Sequence, residues 1–555
     1  MKKKAFQKLT ALVAVTAMSA SLLTGCGSDA SGSNDAATNN AQESAASVGT
    51  QEANSEHPSW ISEDPLEIGI MVMDSSQQPM AQDSKSHEAI FEATNVKLDF
   101  QIVPSSSYDE KKNIALSTQN FPDIIYLRSA SDISDFASEG IFEPLSQYIN
   151  EETMPNFYKF WQQYPEMQRY MVDGEMYVFP VVLRDEWANG FGPVIRTDLL
   201  EENGIATPTT WDEVLDALAQ LKEIYPDSTP WAIRKGTANL LKTTSYMLGS
   251  GFGSVSASSG MYWDEDLGKY VYGPADTNFK EVLKFLNKAY TTGVLDQEYA
   301  TMTTKCSSGQ SFFFVDNSGF GQNYTNELRK IAGNENATFQ VLPIPENSLG
   351  ERRAVSYDTR FGKLYAINAN AKNKDQIIKF IDWMYSMEAS DITNYGIEGE
   401  TFQYNADGEA EYISDYVMQF KDASPSDYYA CWTDIGAGKL DFSMYACNIK
   451  TQREIQMITG SWSDLTEDYW KIINDDDAYV QPHIAPSFTT EEADRVKELT
   501  TDLDTFFTQE YDKYITGKES IDNWDALIKK AEDMGVRELE QLWNDAEARA
   551  VAGTK

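Results

Sequence analysis

The chain has 555 residues, 12% of them aromatic, and a formal charge of −41 from 86 acidic and 45 basic side chains. That length exceeds what one hydrophobic core supports and suffices for two large lobes or three small domains. The negative field repels a polymer of phosphates and so argues against nucleic acid as a partner. With Cys26 set apart, Cys306, Cys431 and Cys447 leave an odd number, which excludes a disulfide scaffold and favours buried thiols over a Cys431–Cys447 bond.

In chain order, Lys2, Lys3, Lys4 and Lys8 form a positive head, Ala11 to Leu23 an apolar middle, and small residues follow just before Cys26. This is the order of a secretory signal, and its apolar run is too short for a stable membrane-spanning helix. Leu23-Thr24-Gly25-Cys26 resembles the lipobox of bacterial lipoproteins. The resemblance implies loss of residues 1–25, acylation of the Cys26 sulfur and a membrane anchor. An ordinary secretory signal with an incidental cysteine is the alternative. Lasting anchorage needs more than one acyl chain, in keeping with the multiply acylated cysteine of that family. The leader carries four lysines and no acid, so its loss takes the charge from −41 to −45. Residues 26–59 are Ser, Ala, Asn, Gly and acid, and read as a disordered tether. Its about 33 flexible residues reach roughly 30 Å. No later stretch is apolar enough to span a bilayer.

Order begins at Leu66, where Leu66, Ile68, Ile70 and Val72 alternate as in a half-buried strand. A helix over Lys85–Thr94, a strand through Val96–Ile102, a helix over Tyr108–Ser117 and a short strand within Phe121–Leu127 follow. This alternation predicts βαβ units and a parallel sheet, with ligands beyond the carboxyl ends of the strands. Met73–Ser76 and Arg128–Ser131 then lie near a site. Asp173–Pro180 reads as a turn and strand. Thr210 and Glu213 have the spacing of a capping box for a helix with Val214, Leu215, Leu218 and Leu221 inward. Further helices are expected within Gly273–Gly293 and over Gln376–Met387, strands at Ser311–Asp316 and Gly362–Asn368, and a mostly helical last hundred residues.

Catalytic signatures are missing. The chain has three histidines, His57, His87 and His483, and neither a Gly-x-Ser-x-Gly elbow nor a Gly-x4-Gly-Lys-[Ser/Thr] loop. No Cys/His group has zinc spacing. Asp264-Glu265-Asp266 and Asp475-Asp476-Asp477 fall short of a full calcium loop and read as solvated turns. Glycoside hydrolysis, which needs two carboxylates, is the one catalytic class left open, although no pair stands out.

Several stretches resemble extracellular solute-binding proteins of ABC importers, above all the large Gram-positive lipoproteins that accompany sugar importers. They are Phe121-Pro-Asp-Ile124, Asp173-Gly-Glu-Met-Tyr177, Arg196-Thr-Asp-Leu-Leu200 running to Pro208-Thr-Thr-Trp-Asp212, Tyr272–Phe279, Gly396–Thr401 and the tail Tyr514–Trp524. The resemblance implies an α/β, periplasmic-binding-protein-like fold, with two α/β lobes around a ligand cleft and a helical C-terminal part. The lobes would share residues 60–555: one from roughly 60–180 plus part of 320–430, the other from roughly 181–315 plus part of 430–555. It further implies hinge closure onto a permease, attachment at the outer face of the cell membrane, action as a monomer, and no cofactor, metal or chemistry of its own. Ala430-Cys-Trp-Thr-Asp434 matches no motif of that family.

Sugar recognition requires aromatic faces for ring C–H groups and planar polar side chains for hydroxyls. Trp211, Trp383, Trp524 and Trp543 sit at helical spacing and read as core. The candidate ligand-binding residues are Asp123, Arg128, Trp187, Trp231, Asp316, Asn317, Tyr357, Arg360, Glu398 and Trp432, with Cys26 as the lipidation site. Asp123 has the alternative of satisfying backbone donors, and Glu398 that of a capped helix end. The expected function is capture of an extracellular solute, a small carbohydrate or oligosaccharide, for an ABC permease. A peptide- or metabolite-binding relative and a surface glycosidase are the alternatives.

Overall fold

A computed structural model describes residues 60–74, 83–128, 131–182, 191–251, 260–298, 301–355, 361–420, 428–436, 464–480 and 482–553. The strands among them are β1 (Leu66–Asp74), β2 (Val96–Pro104), β3 (Ile124–Leu127), β4 (Val178–Val182), β5 (Phe191–Arg196), β6 (Met261–Asp264), β7 (Lys269–Tyr272), β8 (Phe313–Asn317), β9 (Phe339–Val341), β10 (Ala354–Val355), β11 (Phe361–Ile367), β12 (Phe402–Tyr404), β13 (Ala410–Tyr412) and β14 (Tyr479–Val480). They serve two α/β lobes, each with its own main hydrophobic core.

The first lobe holds a sheet in the order β2-β1-β3-β11-β4. β1 runs parallel to β2 from Leu66 opposite Val96 to Asp74 opposite Pro104, and parallel to β3. The helix between β1 and β2 spans Lys85–Thr94. Ser84 opens it by accepting the His87 N–H, and Asn95 closes it in the left-handed conformation, which asparagine tolerates. The next helix, Tyr108–Ser117, lays Tyr108 against the sheet, where its hydroxyl donates to the Tyr126 carbonyl at 2.7 Å. β11 arrives from far along the chain and enters antiparallel between β3 and β4. Asp382, on the returning helix Lys374–Met384, secures the same lobe. It accepts the N–H groups of Asn156 and Phe157, each at 2.9 Å, at the start of the helix Pro155–Gln163.

The second lobe is built on the order β8-β5-β9, with both outer strands antiparallel to β5. Its helix Trp211–Ile224 begins with the expected box: the Thr210 hydroxyl accepts the Glu213 N–H, and the Glu213 carboxylate accepts the Thr210 N–H. Trp211, Val214, Leu215, Leu218 and Leu221 of that helix are buried. The C-terminal helices Thr490–Ile515, Trp524–Asp533 and Val536–Gly553 pack onto this core through Leu503, Phe507, Tyr511, Trp524, Leu539 and Trp543. A smaller cluster gathers Tyr395, Phe402, Tyr412, Tyr416, Trp432 and Ile435.

The two acidic turns have structural partners. Asp264 accepts the Leu267 N–H at 2.9 Å within the β6–β7 hairpin. Asp476 accepts the N–H groups of Ile344 and Ala478 and pairs with Arg352. Among the described residues no three side chains are grouped to hold a metal ion, and no helix is long and apolar enough to cross a membrane. Cys306 and Cys431 are buried, and burial pushes the Cys306 thiol well up. Cys26, the tether and Cys447 lie outside the described residues.

Candidate ligand cleft

Three passages of the chain join the lobes, and all leave the first lobe from one edge. β4 ends at Val182, beyond the carboxyl end of β3, and β5 opens the second lobe at Phe191. The return runs from Val355, beside Val480 of β14, to Phe361, which pairs with Val182. The third departs from Gly436, so close to Ser84 that a Cβ on Gly436 would fall 2.4 Å from its hydroxyl, and Asp464 resumes in the second lobe. Gly436 also has φ +85°, so this approach requires glycine on both counts. In the second lobe, the Tyr479 hydroxyl donates to the Phe191 carbonyl at 3.1 Å, and a Cβ on Gly192 would collide with it. The passages therefore join the carboxyl edge of β1, β3 and β4 to the end of the second sheet where β5 starts and β8 stops. In sheets of this kind, that edge is where ligands bind.

On the first lobe, Arg128 follows β3 at this edge. It is partly exposed and donates to Asp109 at 2.8 Å. Asp109 in turn lies 3.7 Å from Lys112, whose ammonium is buried against Asp132 at 2.5 Å. On the second lobe, β8 ends in Asp316 and Asn317. The Asp316 side chain is 1% exposed and accepts a two-pronged donation from Arg234, Nε to Oδ2 at 2.9 Å and Nη2 to Oδ1 at 3.0 Å. Burial raises the Asp316 carboxyl above the usual carboxylate range, opposed by the Asn317 N–H and the guanidinium. The fork fixes the plane of Arg234, which lies over Phe320 with its carbon 5.5 Å from the ring centre, one-third exposed. Asn317 is half-buried and accepts the Gly319 N–H. The arrangement offers oriented donors beside an aromatic ring, which suits hydroxyl-rich ligands.

A second cluster stands two residues before Val355. The Arg353 guanidinium lies 4.0 Å from the centre of the Tyr246 ring and donates through Nε to the Tyr246 carbonyl at 2.9 Å. Tyr262 meets Tyr246 edge-on at 5.6 Å, and burial pushes its hydroxyl up to about 12. Sequence reasoning passed over Arg234, Phe320, Tyr246, Tyr262 and Arg353. The one available signal was that Arg234 and Arg353 each sit close to residues that were chosen, Trp231 and Tyr357.

Several expected contacts are corrected. Trp231 is 1% exposed, edge-on to Phe313 at 5.2 Å, and its ring is spent on the second core. Trp432 is equally buried in the smaller cluster. Asp123 stands at the amino end of β3, where it accepts the Gly69 N–H at 2.9 Å, so its alternative reading holds. Glu398 is exposed in a turn bridged to Phe402, and that turn stands beside the passage at Gly436, with Gly396 against Ile435 and Glu400 paired to Lys85 at 3.3 Å. Trp187, Tyr357 and Arg360 lie outside the described residues. Of the expected set, Arg128, Asp316 and Asn317 lie where the passages leave and enter the sheets, and Glu398 lies in the turn beside Gly436.

The model of the bacterial extracellular solute-binding protein family matches residues 73–391. The fructooligosaccharide ABC transporter substrate-binding protein FusA of Streptococcus pneumoniae serotype 4 is 23% identical over 78% of this chain and 80% of its own. The polygalacturonan/rhamnogalacturonan-binding protein YtcQ of Bacillus subtilis is 22% identical over 85% of this chain and 89% of its own. Among solved structures, the alginate-binding protein AlgQ2 without calcium ion superposes with a TM-score of 0.68, at 20% identity, over 88% of this chain and 99% of that one. The family match spans more than half of the chain, and the two-lobed fold agrees with it: this chain belongs to the bacterial extracellular solute-binding proteins.

Proposed function

We propose that the protein captures a neutral oligosaccharide in the cleft between its lobes and presents it to an ABC permease, held at the outer membrane surface through an acylated Cys26. Members of this family bind solutes and are not enzymes. The observation that carries the saccharide class is the pair of relatives, one named for fructooligosaccharides and one for polygalacturonan and rhamnogalacturonan, aligned over 78% and 85% of the chain, while the choice of a neutral ligand rests on charge alone. Two groups support it: Arg234 held flat by Asp316 over Phe320 with Asn317 adjacent on the second lobe, and Arg128 after β3 on the first. The −41 charge favours a neutral ligand over a polyuronate, which the whole field would repel. Closure of the lobes on the ligand would stabilise the form a permease recognises.

Thermal-shift and calorimetric titration of the purified protein with a fructooligosaccharide series, oligogalacturonates, alginate oligomers and mixed peptides tests the proposal. Binding raises the melting temperature in proportion to occupancy. A shift with neutral oligosaccharides is the expected result. A shift with peptides and none with any saccharide would overturn the ligand assignment. Labelling with radioactive palmitate, abolished by Cys26→Ala, checks the anchor.

A further inference from the structure

The C-terminal helices belong to the second core, yet they meet the first lobe at two places of opposite character. At the first, Arg169, one residue before Tyr170 in the first core, forks onto Glu547 of the last helix. Nη1 lies 2.5 Å from Oε2 and Nη2 lies 2.6 Å from Oε1. Both side chains are nearly buried, at 12% and 7% exposure. His483 Nε2 approaches the same carboxylate at 3.4 Å, and its ring stacks on Trp263 at 4.3 Å with the planes 8° apart. Arg169 also donates to the Ile484 carbonyl, and the Ser487 hydroxyl donates back to the Arg169 carbonyl at 2.8 Å. The cluster adjoins a passage between the lobes, because the hydroxyl of neighbouring Tyr170 donates to the carbonyl of Phe361, where the returning chain enters β11. At the second place, Lys497 on the helix Thr490–Ile515 reaches Asp135 of the helix Ser131–Phe136 at 3.8 Å, with the lysine 72% exposed.

We propose that the Arg169–Glu547–His483 cluster is a side-chain pivot, a fourth link between the lobes that stays closed while they rotate, and that the Lys497–Asp135 contact is the one that opens and closes. The inference rests on the reading that the lobes move about a ligand cleft. A forked, desolvated pair with three flanking hydrogen-bonded groups resists separation, since parting it strands two buried charges. A single ion pair at 3.8 Å with an exposed lysine and an aspartate 24% exposed is lost and regained at less cost than the buried fork. Burial works against the Glu547 carboxylate, yet the Arg169 and His483 bonds bring its pKa down to about 2, so the link stays charged at neutral pH. A pivot off the chain restricts the lobes to one axis, where three chain passages alone would permit several.

Pulsed electron-resonance distances between spin labels at Glu110→Cys on the first lobe and Lys288→Cys on the second, with Cys447→Ser to remove background labelling, measure this without any ligand. The unmodified pair should give one narrow distance distribution. Arg169→Met should broaden it at least twofold, whereas Lys497→Ala should shift its mean and leave its width unchanged. If Arg169→Met fails to fold, the exchanged pair Arg169→Glu with Glu547→Arg serves instead: the double variant should restore the narrow width that Arg169→Glu alone loses. Unchanged width in a folded Arg169→Met, or equal broadening by Lys497→Ala, would overturn the pivot. Because the readout needs no sugar, neither result depends on the ligand assignment.

Discussion

Replacing Asp504 by Asn should stabilise the second lobe at neutral pH and leave it unchanged in acid. Asp504 lies on the helix Thr490–Ile515 and accepts the Tyr272 hydroxyl at 3.0 Å. Burial raises its carboxyl from 3.8 to about 6, against the opposing pull of that hydroxyl and of Lys242. Between roughly pH 4 and 6 the folded chain therefore holds a proton that the unfolded chain has released, so this group's contribution falls as pH rises through the window. At about 1.4 kcal/mol per pH unit the loss is complete by pH 7 at about 3 kcal/mol. Asn keeps an acceptor for Tyr272 without a charge, so the variant should gain about 3 kcal/mol over the parent at pH 7 and nothing at pH 4. Urea unfolding followed by fluorescence at pH 4, 5, 6 and 7 measures the difference, read on the second lobe's own transition because two-lobed proteins need not unfold in one step. A difference that stays flat across this range, or a variant less stable than the parent at pH 7, would refute the reasoning.

Trp231→Ala should lower the stability of the second lobe by about 3–5 kcal/mol through the cavity left against Phe313, while calorimetry on the folded variant finds ligand affinity unchanged. Asp123→Ala strands the Gly69 N–H and should cost about 1–3 kcal/mol in denaturant unfolding, again without effect on affinity. Arg234→Ala should weaken saccharide binding at least about tenfold, the loss of one charged hydrogen-bond donor, and affinity equal to the parent's would remove Arg234 from the site.

Where local sequence decides, the fold was legible. The helix Lys85–Thr94 has the bounds its sequence predicts, with Ser84 and Asn95 found as its caps, and the Thr210–Glu213 box announced the helix at Trp211. The parallel run of β1, β2 and β3 followed from its alternation of short elements. Distant pairings were not legible. Nothing near Phe361 says that its strand will enter antiparallel between β3 and β4, and nothing near Asp316 names a guanidinium 82 positions away. For tryptophan, composition cannot separate a ring that faces a ligand from one that fills a core, because both uses need the same large apolar surface. Trp231 and Trp432 went to the core, while Arg234 and Arg353 had no aromatic label of their own to attract notice.

The position of β11 also bears on when the protein can fold. Until residue 367 is available, β3 and β4 are not neighbours in any sheet, and each presents a bare edge that invites pairing with another chain. The first lobe, although its strands begin at Leu66, is thus held unfinished across the whole synthesis of β5 to β10. Long-range pairing of this kind is slow. A chain released in pieces through a membrane would remain extended and exportable until its centre has passed, and a fragment ending at Val355 should aggregate under conditions where the whole chain does not.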